Sequence, residues 1–194
     1  MNSDKKIWDD FRRGEAYALS SIYHQHVQLL FRYGKKFSND DELVKDTIQD
    51  LFFDLIRTRE NLGETDSIPF YLMASFRRKL AKTLNKNLRI SGDSGEDGLE
   101  AAIVYSAEDE LIGREQLTHR ERKVQEALAE LSPKQREILF HRFTCDFDYE
   151  QICKIMSLEY DSARKQVSRA LKAMRKKLSG SDLFLFFTGF FLEK

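Results

Sequence analysis

The sequence predicts an all-α fold divided into two helical domains, and three observations carry that expectation. Only two prolines interrupt 194 residues. Leu, Lys, Glu and Arg, all good helix formers, are abundant, with no valine or threonine clusters of strand type. Apolar residues recur at three- and four-residue spacing through most of the chain. A content of 41% hydrophobic and 33% charged residues fits a folded globular chain better than disorder.

Before the middle of the chain the periodicity predicts four helices: a short one around Ile7 to Phe11, a long one from Glu15 to Phe37, a third from Asp40 to Arg59 and a fourth from Phe70 to Asn87. Ser38, Asn39 and Asp40 offer N-caps to the third, and the acids Asp40, Asp41 and Glu42 suit its positive end. The stretch ISGDSGEDGLEAA, residues 90 to 102, gathers Gly, Ser and acid between two periodic segments, the composition of a solvated linker. Beyond it a helix is expected from Leu111 to Leu131. The next starts at SPKQ, where Ser132 can cap, Pro133 takes the first helical position and Gln135 reaches back. A helix from Asp148 through YEQICKIM follows, LEYD turns the chain, and Ser162 to Leu178 forms the last helix. The expected division is residues 1–87, an acidic linker 88–110, a second domain 111–178 and an apolar tail 179–194.

Net charge is zero, but its distribution is uneven. Residues 1 to 87 carry 15 basic and 13 acidic side chains, 88 to 113 carry 1 and 7, and 114 to 178 carry 15 and 10. A basic C-terminal module thus follows an acidic segment. The first residues, MNSDKKIWDD, lack the apolar core of a signal peptide, and no window holds the roughly eighteen apolar residues of a membrane span, so a cytoplasmic protein is expected. Cys145 and Cys153 make neither a metal-ligand spacing nor a disulfide framework and are expected as reduced, partly buried residues. The four histidines, His24, His26, His119 and His141, are expected as ordinary surface or boundary residues. Glycine-rich phosphate loops, nucleophile and base pairs, and paired carboxylates are missing, so neither catalysis, metal nor cofactor is expected.

Two short helices joined by a brief turn, the second rich in Arg and Lys, describe a helix-turn-helix. In the second, Arg164, Lys165, Gln166, Ser168, Arg169 and Lys172 surround the apolar line Ala163, Val167, Ala170, Leu171 and Met174. These polar types contact phosphates and the acceptor edges of bases, whereas an amphipathic surface helix with a solvated face is the plainer reading. The succession ALAELSPKQREILFHRF, YEQICKIM and SARKQVSRALKAMRKKL resembles the C-terminal domain of sigma-70 family transcription factors. That resemblance implies a last helix in the major groove of the promoter minus-thirty-five element, with Arg164, Lys165, Gln166, Ser168 and Arg169 at the matching positions. Ser157 stands where the family usually turns with Gly.

The segment VKDTIQDLFFDLIR, residues 44 to 57, resembles the family's polymerase-binding helix through Asp46, Gln49, Asp50 and Phe52, with Phe53 beside them. Val44, Ile48, Leu51, Phe52 and Leu55 read as its buried stripe, and Asp46, Asp50 and Asp54 as an acidic ridge that a basic partner relieves. Further on, FYLMASFRRKLAKTLNKNLR places Arg77, Arg78, Lys79, Lys82, Lys86 and Arg89 among Phe70, Tyr71 and Phe76. The resemblance assigns this segment to the minus-ten element, with the preceding residues 57–69 taking a flipped base. Arg78 and Lys82 stand where relatives often have Asn and Asp; the plain alternative makes Phe70, Phe76 and Leu80 core and the charges non-specific phosphate ligands.

Two helical domains with nothing large between them resemble the extracytoplasmic-function group of sigma factors, over most of residues 8 to 178. The resemblance implies core RNA polymerase, through its clamp and flap elements, and promoter DNA as partners; a further reading, suggested by the altered minus-ten residues and near-neutral pI, adds control through the tail by an anti-sigma factor or placement by a DNA-bound or RNA-guided recruiter. A free-standing helix-turn-helix regulator remains the rival. The tail SDLFLFFTGFFLEK is too short to cross a bilayer and either folds back or anchors a partner.

Overall fold

The computed structural model of the chain describes residues 3–90 and 119–180. All regular structure among them is helical and falls into two compact units, one holding four helices before residue 91 and one holding four after residue 118. The all-α, two-domain expectation is therefore borne out. The expected linker beyond Ile90, the start expected for a helix at Leu111 and the Phe-rich tail beyond Gly180 lie outside the described residues.

The first unit consists of α1 (Ser3–Arg12), α2 (Ala16–Lys35), α3 (Asp41–Thr58), a 3-10 turn (Arg59–Asn61) and α4 (Ile68–Ile90). Its core is formed by Trp8, Phe11, Ile22, Leu30, Tyr33, Val44, Ile48, Leu51, Phe52, Leu55, Leu72, Met73, Phe76 and Leu80. The stripe expected on α3 is buried residue for residue. Asp40 caps α3, its carboxylate accepting from the N–H groups of Glu42 and Leu43. α4 begins at Ile68, two residues before the expected Phe70, because its end is held from a distance: the Ile68 N–H donates to Asp4 Oδ2 at 3.0 Å. Pro69 is harmless in a first turn. Trp8 Nε1 also donates to Gly63 O at 2.8 Å, so α1 ties down both the connection between α3 and α4 and the start of α4.

The second unit consists of α5 (His119–Ala129), α6 (Pro133–Leu139), α7 (Tyr149–Met156) and α8 (Tyr160–Lys177). Ser132 and Gln135 form the expected capping box at α6, and Asp148 and Gln151 form a second one at α7. Arg136 reaches back from α6, its Nη1 donating to Leu131 O at 2.8 Å and so covering carbonyls at the end of α5. α6 runs on into a π-helical turn (Phe140–Thr144), closed by Cys145 N–H donating to Phe140 O. There His141 is fully buried, contrary to the boundary position expected: it stacks on Phe147 and lies 3.6 Å from the buried Glu137 carboxylate. The wider turn carries the ring inward, and i, i+4 spacing places Glu137 beneath it. His24 is exposed and His26 half-buried. Both cysteines are free and half-buried.

Gly34 marks where α2 meets α3 and α4 most closely. A Cβ built there lies 2.6 Å from Val44 Cγ1 and 3.2 Å from Phe76 Cζ. Gly34→Ala therefore sets a helix-propensity gain of about 1 kcal/mol against overpacking of about 1–3 kcal/mol between two buried side chains. The expected result is a lower denaturant midpoint, by on the order of 1 kcal/mol of stability; an unchanged or raised midpoint contradicts the close approach.

Candidate nucleic-acid interface

α7 and α8 are joined by three residues, and the joint depends on Ser157. This residue ends α7 in the left-handed conformation at φ 52°, and Leu158 N–H closes back onto Cys153 O. Glu159 is extended, and α8 starts at Tyr160, two residues earlier than expected, because the reversal is complete within one left-handed residue. The position where the family usually carries Gly is thus one where a side chain is strained.

α8 buries Ala163, Val167, Ala170 and Met174 against the unit, close to the line expected; Leu171 is only half-buried. At 3.6 residues per turn, Lys165, Ser168, Arg169 and Lys172 then centre on the opposite side, and all four are exposed. Arg164 and Gln166 lie on the two flanks, Arg164 exposed and Gln166 half-buried. Arg175 and Lys176, not singled out in the sequence, continue the exposed basic face, while Lys177 pairs with Glu130, the residue that follows α5. A free major groove admits a helix displaying this set.

α4 divides the expected basic set in two. Arg78, Lys82 and Lys86 are exposed. Arg77 is 9% exposed and borders a small recess with Tyr33, Phe37, Leu80 and Ala81, so it belongs to the packed side of α4 rather than to an open phosphate-binding face. Lys79 is held by Asp54 of α3 at 2.7 Å. Of the aromatics expected to meet bases, Phe76 is fully buried, Phe70 and Tyr71 are half-buried, and Tyr71 packs its ring on Trp8 at 4.8 Å. Phe76 and Leu80 are core, as the plain alternative held.

On α3, Asp46, Gln49, Asp50, Phe53, Ile56 and Arg57 share one exposed face at helical spacing. Phe53 is 64% exposed, whereas Phe52 is 5% exposed and packs edge-on against Tyr23; Phe53, not Phe52, is the ring on the open face. The acidic ridge is shorter than expected. Asp54 is taken up by Lys79 and Arg57, and the hydrogen bond from Lys79 holds its carboxyl below the usual range.

Among the described residues all regular structure is helical, and the second unit carries a helix-turn-helix with a basic, exposed second helix, an arrangement that DNA-binding domains use. Residues 121–174 match the family model of sigma-70, region 4. Two solved structures share the fold. The structure of CnrH in complex with the cytosolic domain of CnrY aligns at TM-score 0.57 and 13% identity, covering 88% of this chain and 94% of that one. The sigma factor RpoE in complex with the anti-sigma factor NepR, from Bartonella quintana, aligns at TM-score 0.59 and 18% identity, covering 81% of this chain and 94% of that one. Among curated proteins none matches the chain. The resemblance to sigma-70 factors read from the sequence is borne out by this match, which covers residues 121–174.

Two predictions follow from this geometry. Ser157→Gly removes the left-handed penalty on a side chain, about 1 kcal/mol or somewhat more before the backbone entropy of Gly is subtracted, and should raise the denaturant midpoint; a lowered midpoint contradicts the turn. Asp54 has a depressed pKa when folded, so the stability it contributes is present above the ordinary carboxylate value of about 3.9 and is lost as the pH falls through the folded value. In Lys79→Met the Asp54 carboxyl resonance should titrate higher than in the parent. An identical titration would mean that the pair does not exist in solution.

Proposed function

We propose that the protein is a sigma factor of the extracytoplasmic-function group, which binds core RNA polymerase and directs promoter recognition, DNA opening and transcription initiation without chemistry of its own. The observation that carries the reading is the pairing of two open helix faces. α8 offers Lys165, Ser168, Arg169 and Lys172 from a region 4 domain, and α3 offers Asp46, Gln49, Asp50 and Phe53 in a different unit. A free-standing repressor has use for the first face and none for the second.

In this reading the second domain, expected at 111–178, reads the minus-thirty-five element. Lys165, Arg169 and Lys172 take phosphates and acceptor base edges at the centre of the groove, with Arg164, Gln166 and Ser168 beside them. The first domain, expected at 1–87, docks on a basic coiled-coil element of the polymerase clamp. Exposed Phe53 and Ile56 are the apolar centre of that contact and Asp46 and Asp50 its acidic rim. Arg78, Lys82 and Lys86 follow the minus-ten strand by its phosphates. The acidic linker expected at 88–110 lies toward the catalytic channel. CnrH and RpoE are each seen with a protein partner, RpoE with an anti-sigma factor, and a partner of that kind, or a DNA-bound recruiter, is the proposed control on this chain. Among the described residues no helix is long and apolar enough to cross a membrane, consistent with a site of action at the cytoplasmic polymerase.

Gel filtration with sigma-free core polymerase tests the reading. The wild type should co-elute. Asp50→Lys combined with Phe53→Ala, both at exposed positions and so neutral for folding, should weaken the complex by about tenfold or more, as loss of an apolar anchor and reversal of a rim charge imply. Arg169→Ala should leave core binding intact and weaken binding to duplex promoter DNA. A folded wild type that ignores core polymerase moves the conclusion to a free-standing DNA-binding regulator.

A further inference from the structure

Tyr160 is an aromatic residue at the first position of α8 that remains 49% exposed, so burial does not account for it. Its ring meets the edge of Tyr149, at the first position of α7, with centroids 5.8 Å apart and planes at 65°. The guanidinium of Arg164, one turn further along α8, lies over the Tyr160 ring at 6.0 Å. On the other side Arg142 lies over Tyr149 at 5.7 Å and is itself anchored, its Nη1 donating to Phe147 O at 2.9 Å. Four side chains from the π-helical turn and the starts of both helices thus alternate cation, ring, ring, cation, from an anchored arginine to one on the flank of α8.

We infer that Tyr160 is a positioning residue that sets the orientation of Arg164 for reading a base in the groove. The inference rests on the DNA-binding role of α8 given above. An arginine on the flank of a helix loses much rotamer freedom if it must hold one direction, and unrestrained it meets whichever phosphate is nearest. A guanidinium held over a ring face loses rotamer freedom and can still present its N–H donors beyond the ring for a bidentate contact with two acceptors such as guanine O6 and N7. The edge contact with Tyr149 fixes the Tyr160 ring, and the anchored Arg142 fixes Tyr149. The held arginine thereby gains a discrimination that its flank position alone does not supply.

Two measurements on the full chain test this. In the free protein, the Arg164 side-chain Nε–H resonance should show a ring-current shift that persists in Tyr160→Phe and disappears in Tyr160→Ala. In selection from a randomised DNA duplex library, Tyr160→Phe should enrich the wild-type sequence. Tyr160→Ala should lose preference at the same base positions as Arg164→Ala, with affinity for the wild-type sequence lowered roughly two- to fivefold, the size of an exposed cation–π contact. Arg142→Ala should give a weaker change in the same direction. An unchanged sequence preference in Tyr160→Ala overturns the positioning role, as does a loss at positions that Arg164→Ala leaves untouched, which would make Tyr160 a direct reader. A wild type that shows the ring-current shift yet enriches no sequence overturns the base-reading role of α8 itself, and the positioning role with it.

Discussion

The seating of α8 on Ala163, Val167, Ala170 and Met174 is the contact around which the second unit is arranged. Two of the four are alanines without accessible surface, so the backbone of α8 lies close against its neighbours and its rotation about its own axis is restricted. α7, eight residues long, is too short to hold its shape alone; Ile152, Ile155 and Met156 are buried, and the helix packs against α8 and the π-helical turn. The tight turn at Ser157 then follows from geometry, since a short helix packed across the start of a longer one leaves room for little more than one left-handed residue. With the buried stripe fixed, the outward direction of Lys165, Ser168, Arg169 and Lys172 is fixed too. Function in this unit is a by-product of which side of the helix is apolar.

The first unit is organised by a different kind of contact. α1 is only ten residues long, yet it sends Asp4 to the amide at the start of α4 and Trp8 to the carbonyl of Gly63. A carboxylate at a helix N-terminus satisfies an orphan donor and opposes the positive end of the dipole. Here that cap comes from a residue 64 positions away. The connection between α3 and α4 is therefore not a loose loop hung between two helices: its far end is pinned to a helix on the opposite side of the chain. For a segment proposed to meet single-stranded DNA, pre-ordering of this sort lowers the entropy lost on binding.

What the sequence made legible was whatever depends on neighbours in the chain. The capping box at Ser132, the cap at Asp40 and the buried stripe of α3 are local patterns of three or four residues, and each is present as expected. What it hid depends on partners far away. The start of α4 rests on Asp4, the burial of His141 on a π-helical turn, and the removal of Asp54 from the acidic ridge on Lys79 of another helix. Phe52 and Phe53 are adjacent, chemically identical and on opposite sides of the core boundary; 3.6-residue periodicity puts Phe52 inside, whereas family likeness places both on the partner face. Arg142, Tyr149 and Tyr160 went unnoticed because their link is spatial, between residues 7 and 11 positions apart on different elements.

The same distinction decides how charge should be counted. α4 and α8 look alike in composition, both amphipathic and both rich in Arg and Lys. In α4 the fold uses much of that charge: Arg77 is buried and Lys79 is paired across to α3, leaving Arg78, Lys82 and Lys86 on the surface up to the last side chain described there. In α8, Lys177 pairs with Glu130 just beyond the end of α5, while Arg164, Lys165, Arg169, Lys172, Arg175 and Lys176 are exposed. Affinity for nucleic acid follows the cations that can displace counterions from phosphate, not the cations a segment contains. By that measure the two faces are unequal. α8 presents six exposed cations, Arg164, Lys165, Arg169, Lys172, Arg175 and Lys176, whereas the described α4 face presents three, Arg78, Lys82 and Lys86, with its aromatic rings largely packed; in the proposed function the first meets a duplex and the second a strand delivered by a larger assembly. Under the proposed function, a near-neutral protein with one face rich in exposed cations and a second face with few gains from docking on a larger assembly, and the exposed face of α3 carrying Asp46, Asp50 and Phe53 is the surface proposed for that dock.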